Sequence, residues 1–408
     1  MPDKKVGGGQ IAALRLAGAL ARDHEVSVIF ACPEISDDTP PAIPPGVQEI
    51  ESIPGHIRHY FPRPLWLLIT VLDFILPPWL WSRESGVLVN YLEKRYQKNR
   101  RRHFLKMVNE DDFDIINSHV WRSDYFVGEC KPKHWKTPWV ITMHGCYELL
   151  LSNMARHPFD EQKIKKVLNL ADQILFVAKK NLTVFTSLPD FQPKNEPVQV
   201  FNGIEPMQVS GSPPPRFERG DADLLLTLVS RPIAEKGWLE AISAVQELNS
   251  ETEYNVKLIL VGSSPYQEEL ERKYQDRMII FYGHSPDPMS IINECDFGIL
   301  PSYFPSESYP LSVIEYLSCG KPVLATDIGE IRVMLEYRGQ LAGQLLPKSP
   351  DGKADIEGIK IAILNYLHDP KLLESHASQA YLAAEKFSMH GSLLRYEKVF
   401  ESCMREIV

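Results

Sequence analysis

Two carboxylates, two cations and a run of glycines stand where they could do chemistry together. Glu307 and Glu315 lie in Pro301-Ser-Tyr-Phe-Pro-Ser-Glu307-Ser-Tyr309-Pro310-Leu311-Ser312-Val-Ile-Glu315-Tyr-Leu-Ser-Cys-Gly320. Pro310 suits a first helical position and Gly320 a C-terminal cap, so a helix is expected to start after Glu307 and to contain Glu315. On a single helix, side chains at this spacing would point about 80° apart. With Glu307 in the preceding loop, both carboxylates can face one crevice at different depths. N–H groups near Leu311 and Ser312 would lack helical partners and could meet a phosphate. Carboxylates repel phosphate, so their placement makes sense if they accept hydrogen bonds from sugar hydroxyls, one on a hexose and one on a ribose.

The cations lie in Ser230-Arg231-Pro-Ile-Ala-Glu235-Lys236-Gly237, directly after an apolar run. Arg as a planar fork and Lys as a point charge suit a diphosphate, although a solvated loop could carry the same residues. Val6-Gly7-Gly8-Gly9-Gln10 opens a helical pattern. Glycines there let backbone N–H groups approach an anion, or simply make a tight turn. His144, in Thr142-Met143-His144-Gly145, could face a ligand or serve as a core histidine.

The elements that must position these residues alternate short β-branched runs with amphipathic segments, the pattern of parallel α/β units. Strands are expected at Glu25–Ala31, Val47–Ile53, Asp114–Ser118, Trp139–Met143, Gln173–Val177 and Val198–Phe201. After a Pro-rich stretch, Ser210–Gly220, strands recur at Leu224–Ser230, Val256–Val261, Met278–Tyr282, Phe297–Pro301 and Pro322–Thr326. Two doubly wound parallel-sheet domains are expected, residues 1–207 and 208–387, with ligands at the carboxyl ends of the strands. Residues 388–408 are amphipathic and are expected to cross back onto the first domain.

Composition narrows the function. The chain has 408 residues, 44% of them hydrophobic and 24% charged, enough for two cores without metal or disulfides. A formal net charge of −9 argues against nucleic acid as a partner. Six scattered cysteines show no metal-ligand spacing and suggest reduced thiols in a cytoplasmic protein. No apolar stretch of signal-peptide type follows Lys4 and Lys5. Leu65–Leu80 is nearly continuous apolar sequence, but Asp73, Pro77 and Pro78 argue against a membrane span. The basic run Lys94–His103 follows it. Leu65–His103 therefore reads either as a core segment with a solvated helix or as a contact with a membrane surface.

At Glu307 and Glu315 the sequence resembles the E-x7-E signature of family-4 retaining glycosyltransferases of GT-B fold. Arg231 and Lys236 resemble that family's diphosphate pair, Asn202-Gly203-Ile204 its first-domain closing motif, and His144-Gly145 its HG segment. Val261-Gly262-Ser263 and Phe281-Tyr282-Gly283-His284 fall where the family has glycine turns, so the resemblance runs almost end to end. It implies a nucleotide-sugar donor in the second domain, with Glu307 on the transferred sugar, Glu315 on the ribose and Gly283 beside the base. Tyr309, Pro310, Leu311 and Ser312 would line the donor site. Arg231 and Lys236 would neutralise the leaving diphosphate without a metal, and no further cofactor is implied. His144 would sit near the reacting sugar, and Gly8 and Gly9 would line the crevice from the first domain. The acceptor would be a glycan or a lipid-linked glycan.

The sequence departs from the family at Tyr309-Pro310, where many members have Phe-Gly, and at Tyr316, where they have Ala. Members also place an apolar strand before the Gly-rich loop, and Met1–Val6 leaves no room for one. That strand is central in a 3-2-1-4-5-6 sheet, so unpaired strand edges are expected in the first domain. A mis-assigned start or a truncated fragment would account for it. Two other readings remain: an epimerase or phosphorylase on the same fold, and a catalytically silent module that binds nucleotide-sugar or partners.

Overall fold

The computed structural model describes residues 8–29, 43–49, 98–99, 101–106, 108–109, 112–145, 147–151, 161–205 and 217–405. The expected boundary after residue 207 and most of Leu65–His103 lie outside these residues.

The first half contains α1 (Gly8–Leu20), β1 (Val26–Val28), β2 (Val47–Glu49), β3 (Ile116–His119), α2 (Trp121–Cys130), β4 (Trp139–Met143), α3 (Glu161–Leu170), β5 (Gln173–Phe176), α4 (Lys179–Thr186) and β6 (Val198–Gln199). Strands β3 to β6 form a parallel sheet in chain order, while β1 and β2 pair separately. Helix α1 packs against both β1 and β3. Among the described residues no strand joins the two sheets; Met1–Val6, where the sequence leaves no room for the expected central strand, lie outside the described residues.

The second half contains β7 (Leu224–Val229), α5 (Trp238–Glu251), β8 (Val256–Val261), α6 (Pro265–Lys273), β9 (Ile279–Gly283), α7 (Pro288–Glu294), β10 (Phe297–Leu300), α8 (Leu311–Ser318), β11 (Val323–Thr326), α9 (Ile331–Leu335), β12 (Glu336–Tyr337), β13 (Gln340–Leu341) and β14 (Gly343–Leu346). Helices α10 (Ile356–His368), α11 (Pro370–Ala384) and α12 (Met389–Arg405) complete it. Its six main strands are parallel in the order β14-β11-β10-β7-β8-β9, the doubly wound 3-2-1-4-5-6 arrangement. Leu-Leu-Leu-Thr-Leu-Val and Val-Lys-Leu-Ile-Leu-Val are near-continuous apolar runs because helices cover both faces of this sheet.

Several helix starts are written plainly in the sequence. Ser264-Pro265, Asp287-Pro288 and Asp369-Pro370 each set a capping side chain before a proline in the first turn, and each side chain accepts a backbone N–H. Helix α8 differs. Its N-cap is Pro310, one residue outside the helix rather than inside it as expected, and no side chain caps it.

The C-terminal helix leaves the second half and buries Tyr396, Phe400 and Cys403 against Leu16, Val140, Leu175 and Val200 of the first. The crossing is anchored where Ile204 N donates to Phe387 O at 2.8 Å and Met389 N donates to Ile204 O at 3.0 Å. The architecture is thus two Rossmann-like α/β units with a helix that returns to the first.

Candidate active site

In a doubly wound sheet the crevice opens where strand order reverses, here between β7 and β10. The loops that leave these strands carry Arg231, Lys236 and Glu307. Tyr303 N donates to the carbonyl of Glu235 at 2.8 Å, which ties one loop to the other. Lys236 Nζ donates to Glu307 Oε2, and Ser302 Oγ donates to the same oxygen at 2.8 Å. The two ionic side chains are only 11% and 7% exposed, and the ammonium also lies 5.2 Å from the centre of the Phe304 ring. The carboxylate is therefore fixed in one orientation by a cation and a hydroxyl.

The open N-terminus of α8 follows this loop. Leu311 and Ser312 occupy its first turn, so their N–H groups have no partner within the helix. One turn further on, Glu315 Oε1 meets Arg15 Nη2 of α1 at 2.6 Å. Burial raises the Glu315 carboxyl above its ordinary range, the Arg15 guanidinium opposes that rise, and Asp287 adds to it. The guanidinium thus favours the ionised form, but burial outweighs it and the net direction stays upward.

The first domain supplies the other wall. A methyl added at Gly8 would meet Leu311 Cδ1 at 3.8 Å, one at Gly9 would meet His144 Cβ at 3.0 Å, and one at Gly145 would meet Ser308 Oγ at 3.5 Å. The N-termini of α1 and α8 thus converge, and both carry positive helix-dipole ends. His144 is 8% exposed, and His119 Nδ1 lies 2.8 Å from its Nε2 with the rings stacked. Burial pushes His144 down to about 4, the neighbouring Asn202 side chain opposing the shift, and holds His119 well below its usual range, with His144 adding to the effect. Both rings are neutral at neutral pH and can share only one proton between the facing nitrogens.

Beneath His119, Trp139 Nε1 donates to Ser118 Oγ at 2.9 Å, and Ser118 Oγ donates to Asp124 Oδ1 at 2.6 Å. Tyr147 OH bonds the other Asp124 oxygen. Burial raises Asp124 to about 7, and the Ser118 and Tyr147 bonds oppose the rise. Its proton is held more tightly in the folded than in the unfolded chain. Asp124 therefore contributes stability that is complete below the unfolded carboxylate range and is lost as pH climbs through about 7.

The variant Asp124→Asn should gain on wild type in unfolding free energy between about pH 4 and 7, by the order of 4 kcal/mol, and the gain should level off above that. His119 and His144 act in the opposite sense, contributing above about pH 6.5 and losing that contribution as pH falls. The variant-minus-wild-type difference in urea titrations cancels them. A difference that stays flat with pH would mean that Asp124 is already ionised in the fold.

The structure thus brings together Lys236 with Glu307, Gly9 with His144, and Gly8 with Leu311. It separates others. Tyr309 was expected to line the donor site; its ring is 6% exposed and packs between Phe201 and Phe387, which leaves its backbone to face the crevice. Pro310 is buried beside it. Arg231 is exposed and forms no ion pair with a described residue. Gly283 ends β9, and nothing lies within 4 Å of where its side chain would be. Gly320 ends α8 with a left-handed φ of 65°, as its position as a cap suggested. Four residues of the site escaped the sequence reading: Arg15, His119, Lys180 and Ser302. Ser302 and His119 stand at strand carboxyl ends, a signal that could have found them; Arg15 and Lys180 carry none. Among the described residues no group of three or more His, Cys, Asp or Glu is arranged to hold a metal ion. None of the described helices is long and apolar enough to cross a membrane.

Comparison with known proteins agrees with this architecture. Residues 6–206 match the family described as Glycosyltransferase Family 4, and residues 215–382 match Glycosyl transferases group 1. An uncharacterised glycosyltransferase of Methanocaldococcus jannaschii is 23% identical over 320 residues, 77% of this chain and 81% of that protein. TuaC of Bacillus subtilis, named for teichuronic acid biosynthesis, is 26% identical over 275 residues, 65% of this chain and 64% of that one. The crystal structure of Anabaena HepE in complex with UDP shares the fold, with a TM-score of 0.64 and 15% identity over 98% of both chains.

Proposed function

This chain belongs to the group 1 glycosyltransferases and has the GT-B fold, and we propose that it moves a hexose-type sugar from a nucleoside-diphosphate sugar to a glycan or lipid-linked acceptor with retention of anomeric configuration. The Lys236–Glu307 pair at the strand-order reversal carries this reading. In it a cation that can meet phosphate and a carboxylate that can hold sugar hydroxyls lie side by side.

The donor would lie along the second domain, residues 208–387. Its diphosphate would meet the open N-terminus of α8, Arg231 and Lys236, whose fixed positive charge needs no metal. Glu315 would accept from the ribose, Glu307 from the hexose, and the open space at Gly283 would admit the base. As the bond from the anomeric carbon to the leaving phosphate oxygen breaks, its electron pair goes to the diphosphate. The acceptor oxygen bonds the same face of the carbon, and its proton passes to the leaving phosphate. Lys236 stabilises the charge that develops there. His144, neutral and held against Gly9, would accept from or donate to a hydroxyl of the reacting sugar without adding charge. The first domain, residues 1–207, would bind the acceptor. The relation to TuaC, named for teichuronic acid biosynthesis, supports a role in polysaccharide synthesis; the chain would act in the cytoplasm, with Leu65–His103 in contact with the membrane surface.

The test is a screen of UDP-, GDP- and ADP-sugars for release of free nucleoside diphosphate, with the product anomer read by NMR. The expected result is release from one donor class and a product whose anomeric configuration matches that donor. An inverted product would overturn retention. Binding of the nucleotides without turnover on any acceptor would overturn the proposed reaction.

A further inference from the structure

The loop that carries Glu307 is held from outside itself at three carbonyls, those of Pro305, Glu307 and Ser308. Lys180, the second residue of α4 in the first domain, donates from Nζ to Glu307 O at 2.5 Å and to Pro305 O at 3.3 Å. Glu330 N donates to Ser308 O at 3.0 Å, and Glu330 Oε1 accepts from Lys179 N at 2.9 Å. Gly329 lies so close to the Glu307 carbonyl that a methyl there would stand 2.3 Å from its oxygen. Within the loop, Glu307 N closes a turn onto Phe304 O at 2.9 Å. The Glu307 side chain points the other way, to Lys236 and Ser302.

We propose that Lys180 is a positioning residue for Glu307, through which the first domain sets the carboxylate that holds the transferred sugar. The inference rests on the role given above to Glu307. A lysine ammonium on carbonyl oxygens makes charge-assisted hydrogen bonds, which outlast competition with water better than neutral ones. By holding the backbone on both sides of residue 306, Lys180 fixes where the side chain of the next residue begins. The ribose and diphosphate contacts run instead through Glu315, Arg231, the α8 N-terminus and Lys236; of these only Lys236 is linked to Lys180, through Glu307, and a displaced carboxylate leaves its ammonium free for phosphate. Losing it should disturb recognition of the hexose and spare recognition of the nucleoside diphosphate.

The experiment compares wild type, Lys180→Met, Lys180→Arg and Glu307→Gln, each first shown by its melting transition to be folded. Affinities for UDP and UDP-glucose, or for the corresponding pair if the donor screen selects another base, are measured by calorimetry, and kcat/KM is measured with the selected donor. Lys180→Met should bind the nucleotide-sugar and turn it over about tenfold less well, a change of one hydrogen bond to a charged group, while its affinity for the nucleoside diphosphate does not fall. Lys180→Arg should recover most of the loss, because it keeps the charge and the reach. Glu307→Gln should show the same split more strongly. If Glu307→Gln weakens both ligands equally, Glu307 does not hold the sugar and the inference falls with it. If Glu307→Gln splits them and Lys180→Met does not, Lys180 has no positioning role.

Discussion

Lys236→Met is expected to lower kcat by about a hundredfold to a thousandfold, the size of effect seen when one fixed electrostatic donor is removed from a reacting group. It should also destabilise the protein, for a separate reason. Lys236 and Glu307 are buried together, and removing the ammonium leaves the carboxylate without its cation. Breaking such a pair costs about 3–5 kcal/mol, whereas neutralising both partners can cost very little. The double variant Lys236→Met/Glu307→Gln should therefore regain most of the lost stability and none of the activity. Urea unfolding and initial rates, measured on the two single variants and the double, make a cycle that separates the effects. Stability that does not return in the double variant would show that the pair is not what holds this part of the fold. Activity that returns would show that no cation is needed beside the leaving group.

Gly237→Ala should be nearly as damaging without touching a charge. Gly237 follows Lys236 at a φ of 75°, and an added methyl would stand 2.2 Å from the carbonyl oxygen of Pro301. The left-handed backbone alone costs an alanine about 1 kcal/mol or slightly more. Here the methyl must also push aside the strand end from which the Glu307 loop departs, so a total loss of about 3–4 kcal/mol is expected. Gly339 provides the control, because it has a φ of 78° and nothing within 4 Å of its missing side chain. Gly339→Ala should show the backbone cost alone. The two unfolding free energies, compared directly, give the steric part by difference. Equal losses in both variants would mean that the Pro301 strand end yields freely. Because Lys236 and Pro301 flank the proposed site, Gly237→Ala should also lose activity that Gly339→Ala keeps.

Much of the fold was legible because its strands are buried on both faces. Trp139–Met143 and Val256–Val261 run between turn signals as largely apolar, β-branched stretches, and the observed strands have those bounds. β14 was missed because Gly343-Gln344-Leu345-Leu346 has no β-branched residue and begins on a glycine. The hairpin of β12 and β13 is two residues deep on each side, too short for any periodicity to register.

The site divides in the same way. Glu307, Lys236 and the start of α8 were readable because each lies in a loop or helix start whose local residues fix its form. Arg15 and Glu315 are 300 positions apart, and Lys180 and Glu307 are 127 apart. These pairs depend on how the two halves meet, which no local pattern encodes. The direction of the Tyr309 ring was hidden for a related reason. Its place in the motif suggested the crevice, but Phe201 and Phe387, arriving from distant segments, enclose its ring.

The returning helix has a consequence for the order in which this protein can mature. Tyr396, Phe400 and Cys403 complete a core whose other members, Leu16, Val140, Leu175 and Val200, lie in the first half of the chain. During synthesis those residues leave the ribosome long before their partners do, while the second unit between them is continuous and can close on its own. The unit written first is therefore the last to be finished. Until the final segment docks across Ile204, the nascent protein holds a formed second unit beside a first unit with one apolar face uncovered.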